Sequence, residues 1–237
     1  MNLLYPAHCQ VCGKKSYIWD KNICDDCLGK IEKRIPPFCT KCGRQLRKIS
    51  SSKTVTCNDC KITDYYFDRA FSVACYDKTL KTLVHNFKYK KMISLTKEFT
   101  GLILDFMETY GAGRDTHLIL SVPMHRSRLF VREINPSHIL AKGIAKRLCL
   151  PYSGTSIRKI KNTVPQSRLT RYERITNIKG SFSICKNKIP WINSKNILLV
   201  DDLFTTGSTL NECAKVLKEA GSGRVVAITL ARGNDLL

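Results

Sequence analysis

Eight cysteines fall in the first 60 residues of the chain as four Cys-x-x-Cys pairs: Cys9/Cys12, Cys24/Cys27, Cys39/Cys42 and Cys57/Cys60. That spacing lets two thiolates face one cation from a tight turn, and two such pairs complete a tetrahedron. Four pairs therefore predict two four-thiolate zinc sites. These are structural sites, because four thiolates leave no open position for water. Sequential pairing is the simplest arrangement; an interleaved pairing also satisfies the spacing. A disulfide framework belongs in an oxidising compartment, and nothing here suggests export. A redox Cys-x-x-Cys occurs once, near a βαβ pattern, rather than four times in one short segment. The expected role of the metal is to staple a unit with too little core to fold alone. The other cysteines, Cys75, Cys149, Cys185 and Cys213, stand in largely apolar surroundings and read as small core residues.

The second constellation runs from Ile197 to Thr209, Ile-Leu-Leu-Val-Asp-Asp-Leu-Phe-Thr-Thr-Gly-Ser-Thr. An apolar strand delivers two adjacent carboxylates, Asp201 and Asp202, at its C-terminal edge, where ligands of open α/β sheets bind. Thr205, Thr206, Gly207, Ser208 and Thr209 then open a helix. Small residues let several backbone amides converge on one anion, and the hydroxyls add donors. The ligand this implies carries a phosphate for the loop and hydroxyls for the acids; a phosphorylated ribose fits. The run is neither a Walker A loop, since Gly-Lys-Ser/Thr is absent, nor a Gly-x-Gly-x-x-Gly dinucleotide loop.

Several elements must hold these groups. Residues 1–62 form a cysteine-rich module whose tip, Arg44 to Lys53, is basic and serine-rich and reads as an exposed loop. Residues 63–237 alternate strand and helix patterns. Strands are expected at Ala70–Tyr76, His117–Val122, Ile197–Val200 and Val225–Leu230. Helices are expected at Thr79–Lys91, Leu95–Tyr110, Pro136–Leu148 and Ser208–Ala220. Ile157 to Glu173 is polar and strongly basic and reads as a long mobile loop leading into a short helix. This alternation predicts an α/β domain with a mostly parallel sheet. Lys88, Lys90 and Lys91 alternate with Phe87 and Tyr89. The preferred reading is core-facing aromatics with lysines reaching outward; a stacking surface for single strands is the alternative.

The chain of 237 residues carries 40 Lys+Arg against 19 Asp+Glu, a net +21. A surface this basic attracts polyanions, nucleic acid among them. A hydrophobic fraction of 43% and a charged fraction of 25% exclude a disordered or collagen-like chain. No apolar run approaches the ~18 residues of a membrane span. Met1–Pro6 lacks a basic stretch and breaks at Pro6, unlike a signal peptide, so a soluble cytoplasmic protein is expected.

The run at 197–209 resembles the signature of type I phosphoribosyltransferases, which bind phosphoribosyl pyrophosphate (PRPP). The whole chain is similar to the ComF (ComFC) family of competence proteins. That resemblance rests on the cysteine pairs, on Val122-Pro123-Met124-His125 with Arg126 and Arg128, and on Ala231-Arg232. It also rests on the block Thr163, Gln166, Leu169, Arg171, Arg174 and Asn177 before Gly180 and Phe182. It implies a phosphoribosyltransferase-type domain behind two zinc-binding ribbons. Asp201 and Asp202 would hold ribose hydroxyls, directly or through Mg²⁺, and would be the catalytic residues of an active transferase. Residues 205–209 would cradle the 5′-phosphate. His125, Arg126, Arg128, Arg171 and Arg174 would contact pyrophosphate or other anions. The implied role is single-stranded DNA handling during natural transformation, at or near the inner face of the membrane, alongside other competence proteins such as a DNA-uptake helicase. An active Mg²⁺-dependent transferase and a non-catalytic PRPP sensor are the alternatives. One departure is Glu133-Ile134-Asn135-Pro136, where the family usually shows Gly-Phe-Asn-Gln. Glutamate for glycine removes backbone freedom and adds negative charge beside the pyrophosphate position.

Overall fold

The computed structural model describes residues 7–16, 22–46, 55–164 and 170–233. In the cysteine-rich part lie β1 (Ala7–His8), β2 (Lys15–Ser16), α1 (Asp25–Gly29) and α2 (Asn58–Ile62). Then follow β3 (Arg69–Cys75), α3 (Lys78–Tyr89), α4 (Thr96–Tyr110), β4 (Leu118–Ser121), α5 (Arg126–Arg132) and α6 (Pro136–Leu148). After these come β5 (Tyr152–Ser153), β6 (Ile157–Lys159), α7 (Arg171–Ile178), β7 (Phe182–Ile184) and α8 (Ile189–Ile192). The described chain closes with β8 (Ile197–Phe204), α9 (Ser208–Glu219) and β9 (Val225–Arg232).

Five strands form one parallel sheet in the order β3-β9-β8-β4-β5. The continuous apolar runs of β8 and β9 suit central strands covered on both faces. On one face α3, α4 and α6 pack Leu80, Phe87, Phe99, Ile103, Leu140 and Ile144 against Leu198, Val200 and Ile228. On the other, Leu210 and Leu217 of α9 and Phe182 of β7 meet Leu118, Leu120, Leu199 and Ala227. Helix starts follow local chemistry. Asp77 accepts from the Leu80 amide at 2.8 Å to cap α3. Asn135 accepts from the Ser137 amide at 3.1 Å, with Pro136 as the first residue of α6.

The cysteine-rich part is built onto this sheet. Cys9, Ile23, Cys27 and Ile31 join the core on the α3/α4 face, whereas Cys39, Cys42 and Cys57 join the core on the other. The connection between the two covers the edge strand: the Arg34 amide donates to the Val73 carbonyl and the Cys75 amide to the Glu32 carbonyl, both at 2.9 Å. An uncovered edge strand is a template for wrong pairing, and this segment blocks it.

Three expectations are corrected, and one helix is new. Ile157–Lys159 is not loop but pairs antiparallel with β7, because Ile157 and Phe182 bury their side chains on the α9 face. Strand β8 runs past Val200 to Phe204, so the two acids lie within the ladder, Asp201 opposite Thr229. Helix α5 had no apolar stripe to announce it, and none of its residues is buried. Cys149 is exposed at the left-handed end of α6, whereas Cys75, Cys185 and Cys213 are buried. Residues 165–169, with Gln166 and Leu169, and most of the Arg44–Lys53 tip lie outside the described residues. No helix among the described residues is long and apolar enough to cross a membrane.

Candidate functional site

The sulfurs of Cys9, Cys12, Cys24 and Cys27 converge within 4.8 Å of one another, as do those of Cys39, Cys42, Cys57 and Cys60. The pairing is therefore sequential. Gly13 and Gly43 turn each first knuckle at φ 74° and 65°, and a Cβ on Gly43 would strike the Ala70 carbonyl oxygen of β3. Sharing of a proton between neighbouring sulfurs drives Cys39 down to about 4 and pushes Cys42 up. A tetrahedral divalent cation accommodates all four as thiolates, so both donor sets fit zinc. The second ribbon is tied to the sheet by Arg232 at the end of β9. Its Nη1 donates to the Cys42 carbonyl at 2.7 Å, and its guanidinium lies 4.0 Å over the Phe204 ring.

At the C-terminal edge of the sheet lies a cavity of about 460 Å³. Asp201, Asp202, Thr205, Gly207 and Thr209 line one side. Asp201 Oδ1 accepts from Ser137 Oγ at 2.7 Å and from the Asp202 amide at 2.9 Å. Burial, and then the Asp202 charge beside it, raise the Asp201 carboxyl to about 7. Asp202 Oδ2 meets Lys88 Nζ at 2.9 Å, with the two side chains 13% and 17% exposed. Burial pushes Lys88 down, but the Asp202 carboxylate outweighs it and holds the ammonium above its ordinary value. The hydroxyls of Thr206 and Ser208 bond each other at 2.8 Å, and the Ser208 amide donates to Thr206 Oγ1 at 3.3 Å. Part of the nest is thus satisfied internally, while Thr205, Gly207 and Thr209 face the cavity.

The rest of the lining is rich in cations. Arg128 is one of them and donates from Nη2 to the Thr163 carbonyl at 2.6 Å. Lys159 donates to Thr163 Oγ1 at 2.8 Å. Burial, with Arg128 nearby, depresses its ammonium to about 8. Arg132 lies 4.6 Å over the Tyr89 ring and donates to its hydroxyl at 2.9 Å. His125 and Arg174 also line the cavity. His125 caps α5, with Nδ1 2.8 Å from Ser127 Oγ and accepting from the Ser127 amide at 3.3 Å. Arg126 is exposed and is not among the lining residues, and the Arg171 side chain lies outside the described set. Glu133 ends α5 at φ 62°, a left-handed conformation that glycine adopts without strain. Its charge does not reach the cavity uncompensated, because Oε1 meets Lys91 Nζ at 2.6 Å.

Sequence reasoning missed Lys88, Lys159, Arg132 and Ser137 as site residues. Lys88 was read as reaching outward, yet it points inward, and Tyr89, read as core-facing, is 55% exposed. A signal existed. Lys88 continues the Leu80, Val84 stripe of α3, and Ser137 continues the Ala141, Ala145 stripe of α6. A polar group on a buried stripe needs a partner.

Two stretches of the chain match known domains. Residues 1–61 match the double zinc ribbon domain and residues 136–236 the phosphoribosyl transferase domain. Competence protein F of Haemophilus influenzae is 27% identical over 231 residues, covering 94% of this chain and 96% of its own. The chain is a homologue of the ComF-type competence proteins. ComFC of Bacillus subtilis is 28% identical over 90% of this chain and 85% of its own. The DNA utilization protein YhgH of Salmonella typhimurium is 27% identical over 97% and 99%. The parallel α/β sheet with its two four-cysteine clusters thus agrees with a phosphoribosyltransferase domain and two zinc-ribbon sites.

Proposed function

We propose that this protein, like the ComF-type competence proteins it resembles, handles single-stranded DNA in the cytoplasm during natural transformation and that its cavity binds PRPP or a related phosphorylated ribose. One observation carries the ligand reading: a single cavity joins the Asp201–Asp202 step, the 205–209 loop and the cations Arg128, Arg132 and Lys159. The acids suit ribose hydroxyls, the loop suits a phosphate, and the guanidinium groups suit further phosphoryl oxygens. The competence and DNA-utilization names of its relatives, with the +21 charge, support DNA as partner. On this reading residues 1–62 form the zinc module and 63–237 the transferase-like domain, with the exposed Arg126 outside the cavity and available to the strand. Thr206 and Ser208 support the loop through their mutual hydroxyl bond.

A Mg²⁺ ion does not fit the acid pair as it stands. Asp202 already holds Lys88, and Asp201 Oδ1 already accepts two hydrogen bonds. Turnover of PRPP is the second reading, favoured by one observation: an Asp201 carboxyl near 7 is placed for general acid–base work. Calorimetric titration with PRPP tests the ligand. Binding is expected in the wild type and loss in Asp201→Ala; no binding heat in the wild type refutes the site. Pyrophosphate release on adding candidate acceptors tests turnover. Labelled single-stranded DNA is expected to bind with steep salt dependence and to be unaffected by Asp201→Ala. Salt-insensitive binding, or none, refutes the DNA reading.

A further inference from the structure

The cavity holds its own counter-ions. Among the described residues that line it the only acids are Asp201 and Asp202, against Lys88, Arg128, Arg132, Lys159 and Arg174. Lys88 comes from the last turn of α3 and Asp202 from the middle of the sheet, and they meet at 2.9 Å with both side chains largely buried. A divalent cation on Asp202 would sit within ion-pair range of that ammonium, where like charges repel strongly because burial weakens screening. Arg128 and Lys159 both donate to Thr163, at 2.6 and 2.8 Å, Lys159 also lies 5.7 Å over the Phe182 ring, and burial and then repulsion from Arg128 depress the lysine. An anion in the cavity relieves that repulsion.

We propose that this site binds a phosphorylated or pyrophosphorylated ribose without a divalent metal, Lys88 on Asp202 taking the place such an ion would hold and Arg128, Arg132 and Lys159 neutralising the phosphoryl groups. This rests on the ribose-phosphate reading above and fixes the ionic form of ligand the site accepts: the metal-free anion. Lys88 is then a specificity-determining residue, and its removal converts the acid pair into a site that needs the metal.

The test is calorimetric titration of the full, zinc-loaded chain with PRPP, with and without millimolar Mg²⁺. The metal-free buffer is made by resin treatment with no soluble chelator, so that ribbon zinc is retained. The wild type is expected to bind with affinities within about threefold in the two buffers. Lys88→Met is expected to lose roughly tenfold or more without Mg²⁺ and to regain most of it with Mg²⁺. Should Lys88→Met fail to fold, Lys88→Met/Asp202→Asn leaves no buried charge unpaired and is expected to bind roughly tenfold or more weakly than wild type in metal-free buffer. Wild-type binding that collapses without Mg²⁺ overturns the inference and leaves the ribose-phosphate reading intact. Metal-independent binding that survives in both variants overturns the role of Lys88. Absence of binding in both buffers refutes the ribose-phosphate reading itself.

Discussion

Gly207 is where the 205–209 loop is exposed to a small perturbation. It precedes α9 at φ 79°, and a Cβ there would stand 2.6 Å from Cζ of Phe204 and 3.2 and 3.3 Å from its Cε atoms. The ring cannot yield easily: Phe204 is 1% exposed, and the Arg232 guanidinium lies 4.0 Å over it. Gly207→Ala therefore carries two costs. The left-handed backbone costs an alanine about 1 kcal/mol. Forcing a methyl against a fixed ring costs about 1–3 kcal/mol. The variant is expected to lose roughly 2–4 kcal/mol in urea unfolding followed by circular dichroism, with PRPP affinity falling as the loop shifts. Phe204→Leu in the same chain removes the collision but not the backbone strain. The double variant should then be at least about 1 kcal/mol more stable than the summed single losses predict. A Gly207→Ala protein within about 0.5 kcal/mol of wild type would refute the packing argument. Strict additivity in the double variant would refute the assignment of the cost to Phe204.

Elemental analysis is expected to give two zinc ions per chain, with Cys12→Ser and Cys42→Ser each lowering the content by one; a loss of both from either variant would refute independent sites. Asp201 titrates near 7 in the fold, above its unfolded value, so the folded state holds the extra proton between the two and stability falls as pH rises through that window. Asp201→Asn removes this slope, so its stability relative to wild type should grow from pH 5 to pH 7 in urea unfolding, and a constant difference would contradict the raised value. Lys159 titrates near 8, and an anion prefers its charged form, so PRPP affinity should weaken between pH 7 and 9 in the wild type and less so in Lys159→Met. Equal pH slopes in the two proteins would remove Lys159 from the anion-binding groups.

The sequence by itself determined the two four-cysteine metal sites and brought together the acids and the small-residue loop on which the proposed ligand rests. Both are local: a knuckle is four residues long, and the 197–209 run contains its own strand, acids and helix start, so short-range geometry dictates what it can hold. The parallel α/β architecture was legible for the same reason, through the apolar runs of β8 and β9 and the stripes of α4 and α6. Strand β6 was not legible, because its three residues acquire a pattern only when β7 pairs with them. Nor was α5, which has no apolar stripe and buries nothing. Tertiary structure alone decided how the acids are charged. Ser137 and Asp201 are separated by 64 residues, and Lys88 reaches Asp202 from a different layer of the fold. Whether an aspartate at a strand end faces water, a metal or an ammonium depends on which helix packs over it. That is set by the summed burial of many side chains and not by any residue beside it in the chain.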